Sequence, residues 1–136
     1  MKILLDTNII LDVLLKRDPF YKDGAEIFRM AERGEISAFV TASSITDIFY
    51  IARKRIGGES GKDAIKKLLE IVDVVSVRKY DIKKALDLAF SDYEDALQAQ
   101  CAKKIRANYI VTRNEKDFKI SPVKTISPEK FLKLYR

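Results

Sequence analysis

The side chains of this sequence best suited to chemistry are its carboxylates. Asp6 comes directly after a short apolar run, Asp47 sits in a segment of helical pattern, Asp92 and Asp95 flank the stretch Asp92-Tyr93-Glu94-Asp95, and Asn114 and Asp117 follow another apolar run. Histidine is absent, which removes the Ser-His-Asp and Cys-His nucleophile systems, HExxH zinc sites and any imidazole base. Proton and metal chemistry therefore falls to carboxylates, Lys, Tyr or bound water. Carboxylates held close together repel and raise one another's pKa. A hard divalent cation, Mg²⁺ or Mn²⁺, resolves that conflict, because it prefers oxygen ligands and accepts water and phosphate in its shell. Such an ion lowers the pKa of a bound water and offsets charge on a phosphodiester. The acids therefore predict metal-assisted phosphodiester hydrolysis, provided the fold brings them to one place.

The elements that must do so are legible as a pattern. Residues 2–5 form an apolar run suited to a strand buried on both faces. Thr7 and Asn8 are good N-caps for a helix over 9–15. Helical spacing recurs over 21–33, with Gly34 at the stop, and a second strand is expected over 37–41. Ser43 or Ser44 can cap a helix through Ile56, and Gly57-Gly58 breaks the chain before a helix from Ser60 to Ile71. A third strand follows over 74–77, then helices over 81–90 and 92–105, a strand over 109–112 and a fifth over 123–126. Ser127-Pro128 opens a last short helix. Strands alternating with helices imply right-handed crossovers and an α/β/α sandwich around a mainly parallel sheet. Ligands of such sheets bind beyond the carboxyl ends of the strands, where Asp6, Asp47, Asp95 and Asp117 are expected to meet.

With 136 residues, 47% of them apolar, the chain fits one domain spanning 1–136. The lone Cys101 can form neither an intrachain disulfide nor a multi-thiolate zinc site and reads as core filler in a reducing cytoplasm. Asp6 cuts the N-terminal apolar run short of a signal peptide, and no stretch is long enough to span a membrane. A net charge of +6 favours polyanionic partners. Arg113, beside the strand end, is placed to grip a phosphate bidentately, whereas most other basic residues read as solvated faces. Glu94 is expected to point into solvent, Asp12 to form a surface pair with Lys16, and Tyr50, Tyr93 and Tyr109 to be core or half-buried.

The fragments LLDTNIILD (4–12), SSITDIFYIARK (43–54), DYEDALQAQCA (92–102) and YIVTRNEKDF (109–118), in that order and followed by SPEKFL, resemble the PIN-domain family over nearly the whole chain. The resemblance implies a compact sandwich around about five parallel strands and Mg²⁺- or Mn²⁺-dependent cleavage of RNA. Many stand-alone members are VapC-like toxins that form homodimers and are silenced by an antitoxin protein. Carried over by position, Asp6, Asp47 and Asp95 match the first three acids of the family pattern, and Thr112-Arg113-Asn114 matches the fourth segment. Asn8 matches the polar residue two positions after the first acid, and Thr112 the hydroxyl that supports it; apart from the resemblance, Asp92 shares a helix face with Asp95 at i, i+3 and can cap that helix.

Two positions depart from the pattern. Asp47 stands where Glu is usual, one methylene shorter, and Asn114 stands where Asp is frequent, leaving Asp117 to supply the missing charge. These departures motivate an alternative, a catalytically weak RNA- or protein-binding module that retains the fold. A phosphatase with a strand-end Asp nucleophile is disfavoured because Asn8 replaces the second Asp such enzymes need. Dinucleotide binding is disfavoured because no GxGxxG follows the first strand.

Overall fold

The computed structural model describes residues 1–135. Its elements run β1 (Lys2–Leu5), α1 (Thr7–Leu14), α2 (Tyr21–Glu32), β2 (Ser37–Thr41), α3 (Ala42–Ile56), α4 (Gly58–Ile71), β3 (Asp73–Val75), α5 (Lys79–Leu86), α6 (Tyr93–Lys104), β4 (Tyr109–Val111), β5 (Thr125–Ile126) and α7 (Pro128–Leu134), with a 3₁₀ turn at Glu115–Phe118. All strand pairs are parallel, in the order β3-β2-β1-β4-β5. The α/β/α sandwich expected from the sequence is present.

β1 is the centre of the sheet, and its three apolar residues are fully buried. Alternation of side chains divides them between the two faces. Ile3 and Leu5 pack in a core with Ile9 to Leu11 of α1, Ile27 and Phe28 of α2, Ile48 of α3, Leu68 of α4 and Phe131 of α7. Leu4 packs on the other face with Ala99, Cys101 and Ala102 of α6 and Ile110 of β4. Each such large side chain, fully removed from water, contributes about 1.5–3 kcal/mol, so three consecutive apolar residues tie both helical layers to one strand.

Several boundaries differ from expectation for local reasons. α1 starts at Thr7 because Asp6, not Thr7 or Asn8, takes the N-cap position. α3 starts at Ala42 behind Thr41, so neither Ser43 nor Ser44 caps it. α4 starts at Gly58, because Gly57 turns the chain at φ +89° without help from Ser60. α5 starts at Lys79, two residues early, because Asp81 accepts the N–H of Arg78 at 2.9 Å. The edge strands β3 and β5 are shorter than predicted, having a partner on one side only. No helix among the described residues is long and apolar enough to cross a membrane.

Candidate active site

The chain leaves β1 toward β2 on one side, while β4 pairs with β1 on the other, so the topological switch lies between β1 and β4. The crevice beyond the strand ends at such a switch is the expected ligand site of an open parallel sheet. Asp6 stands there, its N–H donating to the carbonyl of Val111 at 3.0 Å. An Asp at an N-cap ordinarily bonds its own helix through its carboxylate. Asp6 does not. Its Oδ1 accepts from Gln98 Nε2 of α6 at 3.0 Å and its Oδ2 from Thr112 Oγ1, just past β4, at 2.8 Å. Thr112 Oγ1 also accepts the N–H of Asn114 at 3.0 Å, so one hydroxyl fixes both Asp6 and the turn carrying Asn114.

The N-terminus of α6 supplies the next acids. Asp92 is its N-cap, with Oδ1 accepting the N–H of Asp95 at 3.1 Å. Ala96 through Ala102 are all buried, and the two glutamines in this stretch each serve a buried carboxylate: Gln98 serves Asp6 and Gln100 serves Asp81, at 3.3 Å. Gln98 Oε1 has no hydrogen-bond partner. Turning the amide over would set that oxygen against the Asp6 carboxylate, so the nitrogen belongs where it is.

Asp6, Asn8, Asp47, Asp92, Glu94, Asp95, Gln98, Asn114 and Asp117 line one cleft of about 320 Å³, and neither Lys nor Arg is among its lining residues. The concentration of negative charge is felt most by Asp95. Burial first, then the charges of Asp92, Asp6, Asp117 and Glu94, pushes its carboxyl up to about 7. Glu94 is also raised, by burial and then by the adjoining Asp47, against the lowering effect of the Thr7 hydroxyl that donates to it at 3.1 Å.

Among the described residues no three carboxylates form a ready-made metal cage. The donor set nevertheless fits a hard cation. It is entirely oxygen, no Lys or Arg of the described residues lines it, and Gln98, whose buried Oε1 is unpartnered, is part of its wall. Mg²⁺ is ordinarily held by one or two carboxylates with water completing the shell, which asks for no full protein cage.

Most of the residues singled out in the sequence therefore share one place, but some do not behave as expected. Arg113 is not free to grip a phosphate: Nε and Nη2 donate to Asp12 Oδ2 and Oδ1 at 2.7 and 3.1 Å, and the guanidinium lies 3.8 Å from the centre of the Phe20 ring. Asp12 is not a surface partner of Lys16 but a buried anion, 1% exposed, that also meets Arg17 at 3.6 Å. Glu94 lines the cleft instead of pointing into solvent. Tyr50 and Tyr93 are more exposed than expected, whereas Tyr109 is half-buried against Phe131. The sequence reading passed over Gln98, although a Gln three residues after Asp95 on a buried helix face is a signal in itself.

A family model described as the PIN domain matches residues 2–116. The chain is 26% identical over 135 residues to Ribonuclease VapC1 of Aquifex aeolicus (strain VF5), covering 96% of this chain and 92% of that protein. It also shares its fold with VapBC2 of Rickettsia felis, solved bound to a promoter DNA fragment, at a TM-score of 0.73 and 19% identity over 93% of this chain and 98% of that one. VapBC-1 of nontypeable Haemophilus influenzae matches at a TM-score of 0.70 and 22% identity, over 95% and 99% of the two chains. VapC20 of Mycobacterium tuberculosis, described as a toxin that cleaves the sarcin-ricin loop, matches at 0.63 and 14% identity, over 79% and 86%.

Proposed function

The chain belongs to the PIN-domain family, and on that premise we propose that it is a Mg²⁺- or Mn²⁺-dependent endoribonuclease that cuts single-stranded RNA as the toxin of a toxin–antitoxin pair. The observation that carries this reading is the cleft in which Asp6, Asp47, Asp95 and Asp117 meet with no Lys or Arg of the described residues among its lining. The similarity to a ribonuclease over almost the full chain supports RNA as substrate, and the VapBC complexes among its structural neighbours support an antitoxin partner. A homodimer and a cytoplasmic setting complete the reading; the single buried thiol of Cys101 is compatible with the latter.

Asp6 and Asp95 are the principal residues that would hold the ion, with Asp47 and Asp117 contributing directly or through water. Bound there, it would supply an acidified water and charge compensation at the phosphodiester. Gln98 and Thr112 hold the Asp6 carboxylate in one orientation. Asp92 shapes the first turn of α6 so that Asp95 is presented beside it. Asn8 and Asn114 offer neutral amide groups to the substrate backbone from the cleft walls. The proton of the attacking water would pass to a cleft carboxylate that the ion leaves free, or to bulk water. The water oxygen bonds to phosphorus as the bond to the 3′ oxygen breaks, and the departing oxygen takes a proton from solvent or a protonated cleft carboxyl, leaving a 5′-phosphate and a 3′-hydroxyl. The test is incubation of the purified protein with single-stranded RNA and Mn²⁺, with and without EDTA. Cleavage that needs the ion and is lost in Asp6→Asn is expected; ion-independent cleavage, or full activity in Asp6→Asn, overturns the reading. Salt-sensitive RNA binding without any turnover would instead identify a binding module.

A further inference from the structure

A polyanion entering the carboxylate cleft meets only like charge from the protein, so affinity for an RNA backbone has to come from another part of the surface. The start of α5 and the end of α6 enclose a separate cleft of about 390 Å³, lined by Arg78, Lys84, Lys103 and Lys104, with Tyr80 on its rim. From this we propose that the α5–α6 cleft is a second phosphate-backbone site, which holds the flanking part of a single-stranded RNA while another part lies in the carboxylate cleft; the proposal rests on the ribonuclease reading above.

The floor of the cleft is built and electrically settled. Asp81, 1% exposed, accepts from Lys104 Nζ at 2.8 Å, the N–H of Arg78 at 2.9 Å and Gln100 Nε2 at 3.3 Å. Lys104 Nζ also donates to the carbonyl and hydroxyl oxygens of Ser76, at 2.9 and 3.3 Å. An ammonium has three donors, and all of them are engaged. Lys104 is therefore a fixed part of the wall, and its charge is cancelled by Asp81.

The side chains of Arg78, Lys84 and Lys103 make no ion pair among the described residues, so their charge is available to a ligand. Tyr80 is 64% exposed, with Lys84 Nζ 5.5 Å from its ring centre. Free cations beside an exposed aromatic ring suit a sugar–phosphate backbone with a base laid on the ring. Ammonium charges and an aromatic ring engage any backbone and any base, so the contact is expected to be largely independent of sequence.

The two clefts lie toward opposite ends of α6. Lys104 follows Asp95 by nine positions, a rise of about 13.5 Å at 1.5 Å per residue and roughly two and a half turns, so the two side chains also leave opposite sides of the helix. At ~3.4 Å per nucleotide of a stacked strand, the rise alone asks an RNA to extend about four nucleotides from the cut, and the passage around the helix asks for more. That makes the proposal a statement about substrate length.

The experiment measures binding of labelled single-stranded RNAs of about four and about twenty nucleotides to the full chain in EDTA, across a salt series. Lys84→Ala combined with Lys103→Ala is expected to weaken the longer RNA by about tenfold near 0.1 M salt and to lower the log–log salt slope by roughly 1.4, at about 0.7 per phosphate contact. The short RNA, which can still occupy the α5–α6 cleft, is expected to lose affinity in the same variant. Lys62→Ala combined with Lys66→Ala, an equal change of charge on the exposed face of α4, controls for net charge. Unchanged affinity and slope for the longer RNA, or an equal loss in the control pair, would each overturn the proposal. Because EDTA prevents ion-dependent turnover, binding with the expected loss in the variant by a protein that never cuts RNA would uphold the second site and sink the ribonuclease reading alone.

Discussion

Gln98 donates to Oδ1 of Asp6 at 3.0 Å while its own Oε1 stays unpartnered in the cleft wall. A buried acceptor without a donor costs about 1–3 kcal/mol, comparable to what the hydrogen bond on its other end contributes. Gln98→Leu removes the unpartnered oxygen but leaves the buried Asp6 Oδ1 without its donor, so a net loss of about 1–2 kcal/mol in unfolding free energy is expected. The Asp6 carboxylate, held then by Thr112 alone, is expected to lose ion affinity or cleavage rate by about 10- to 100-fold. Parent-like cleavage at parent-like Mn²⁺ affinity would show that the Thr112 bond suffices.

The Asp12–Arg113 pair makes the opposite prediction, large in stability. Removing one partner of a buried pair leaves an unpaired charge and typically costs 3–5 kcal/mol. Arg17 stands 3.6 Å from Asp12 and relieves part of that, so Arg113→Ala is expected at about 3 kcal/mol. Asp12→Leu with Arg113→Met removes both charges and is expected to recover more than half of the loss. Urea titrations with an unchanged m-value would measure it. Additive losses in the double variant would mean that the pair is not coupled.

The fold was legible because its strongest signals are local: an apolar run ended by Asp6, helical spacing over α2 and α3, and a Ser-Pro start to α7. The gathering of Asp6, Asp47, Asp95 and Asp117 followed from a topological rule and needed no side-chain detail. Partner choice was not legible. Asp12 and Arg113 are 101 residues apart, and only the packing of the β4 end over α1 makes them neighbours. Glu94 was read as solvated from its place beside Asp95, but α3 sets Asp47 next to it and Thr7 bonds it. Gln98 stayed hidden because its role depends on Asp6 giving up the cap of its own helix.

Cys101 gives a probe of the α6 core. It is fully buried, and burial, followed by the charge of Asp81, pushes its thiol up to about 11. The thiolate is the reactive form, so a disulfide reagent near pH 8 is expected to leave the native protein untouched and to titrate one thiol after denaturation. Reaction at the rate of a free thiol under native conditions would show α6 opening from the sheet far below the global unfolding free energy.

Asp95 links the cleft to pH. Its folded-state carboxyl titrates near 7 without metal, above the ordinary 3.8, so the folded protein binds this proton more tightly than the unfolded chain does. The stability it contributes is fully present below about pH 3.8 and is lost as pH rises through about 7. Glu94, also raised, acts with the same sign. A divalent ion prefers the deprotonated acids, so it is expected to raise the melting temperature more near pH 8 than near pH 5 and to release protons on binding near pH 6. At a concentration of 100 times its dissociation constant the ion stabilises by about 2.7 kcal/mol. Asp95→Asn removes this titrating group and is expected to flatten the metal-free melting temperature across that range while weakening Mn²⁺ binding. An ion effect equal at both pH values in the parent, measured by scanning calorimetry, would mean that the ion does not bind among these carboxylates.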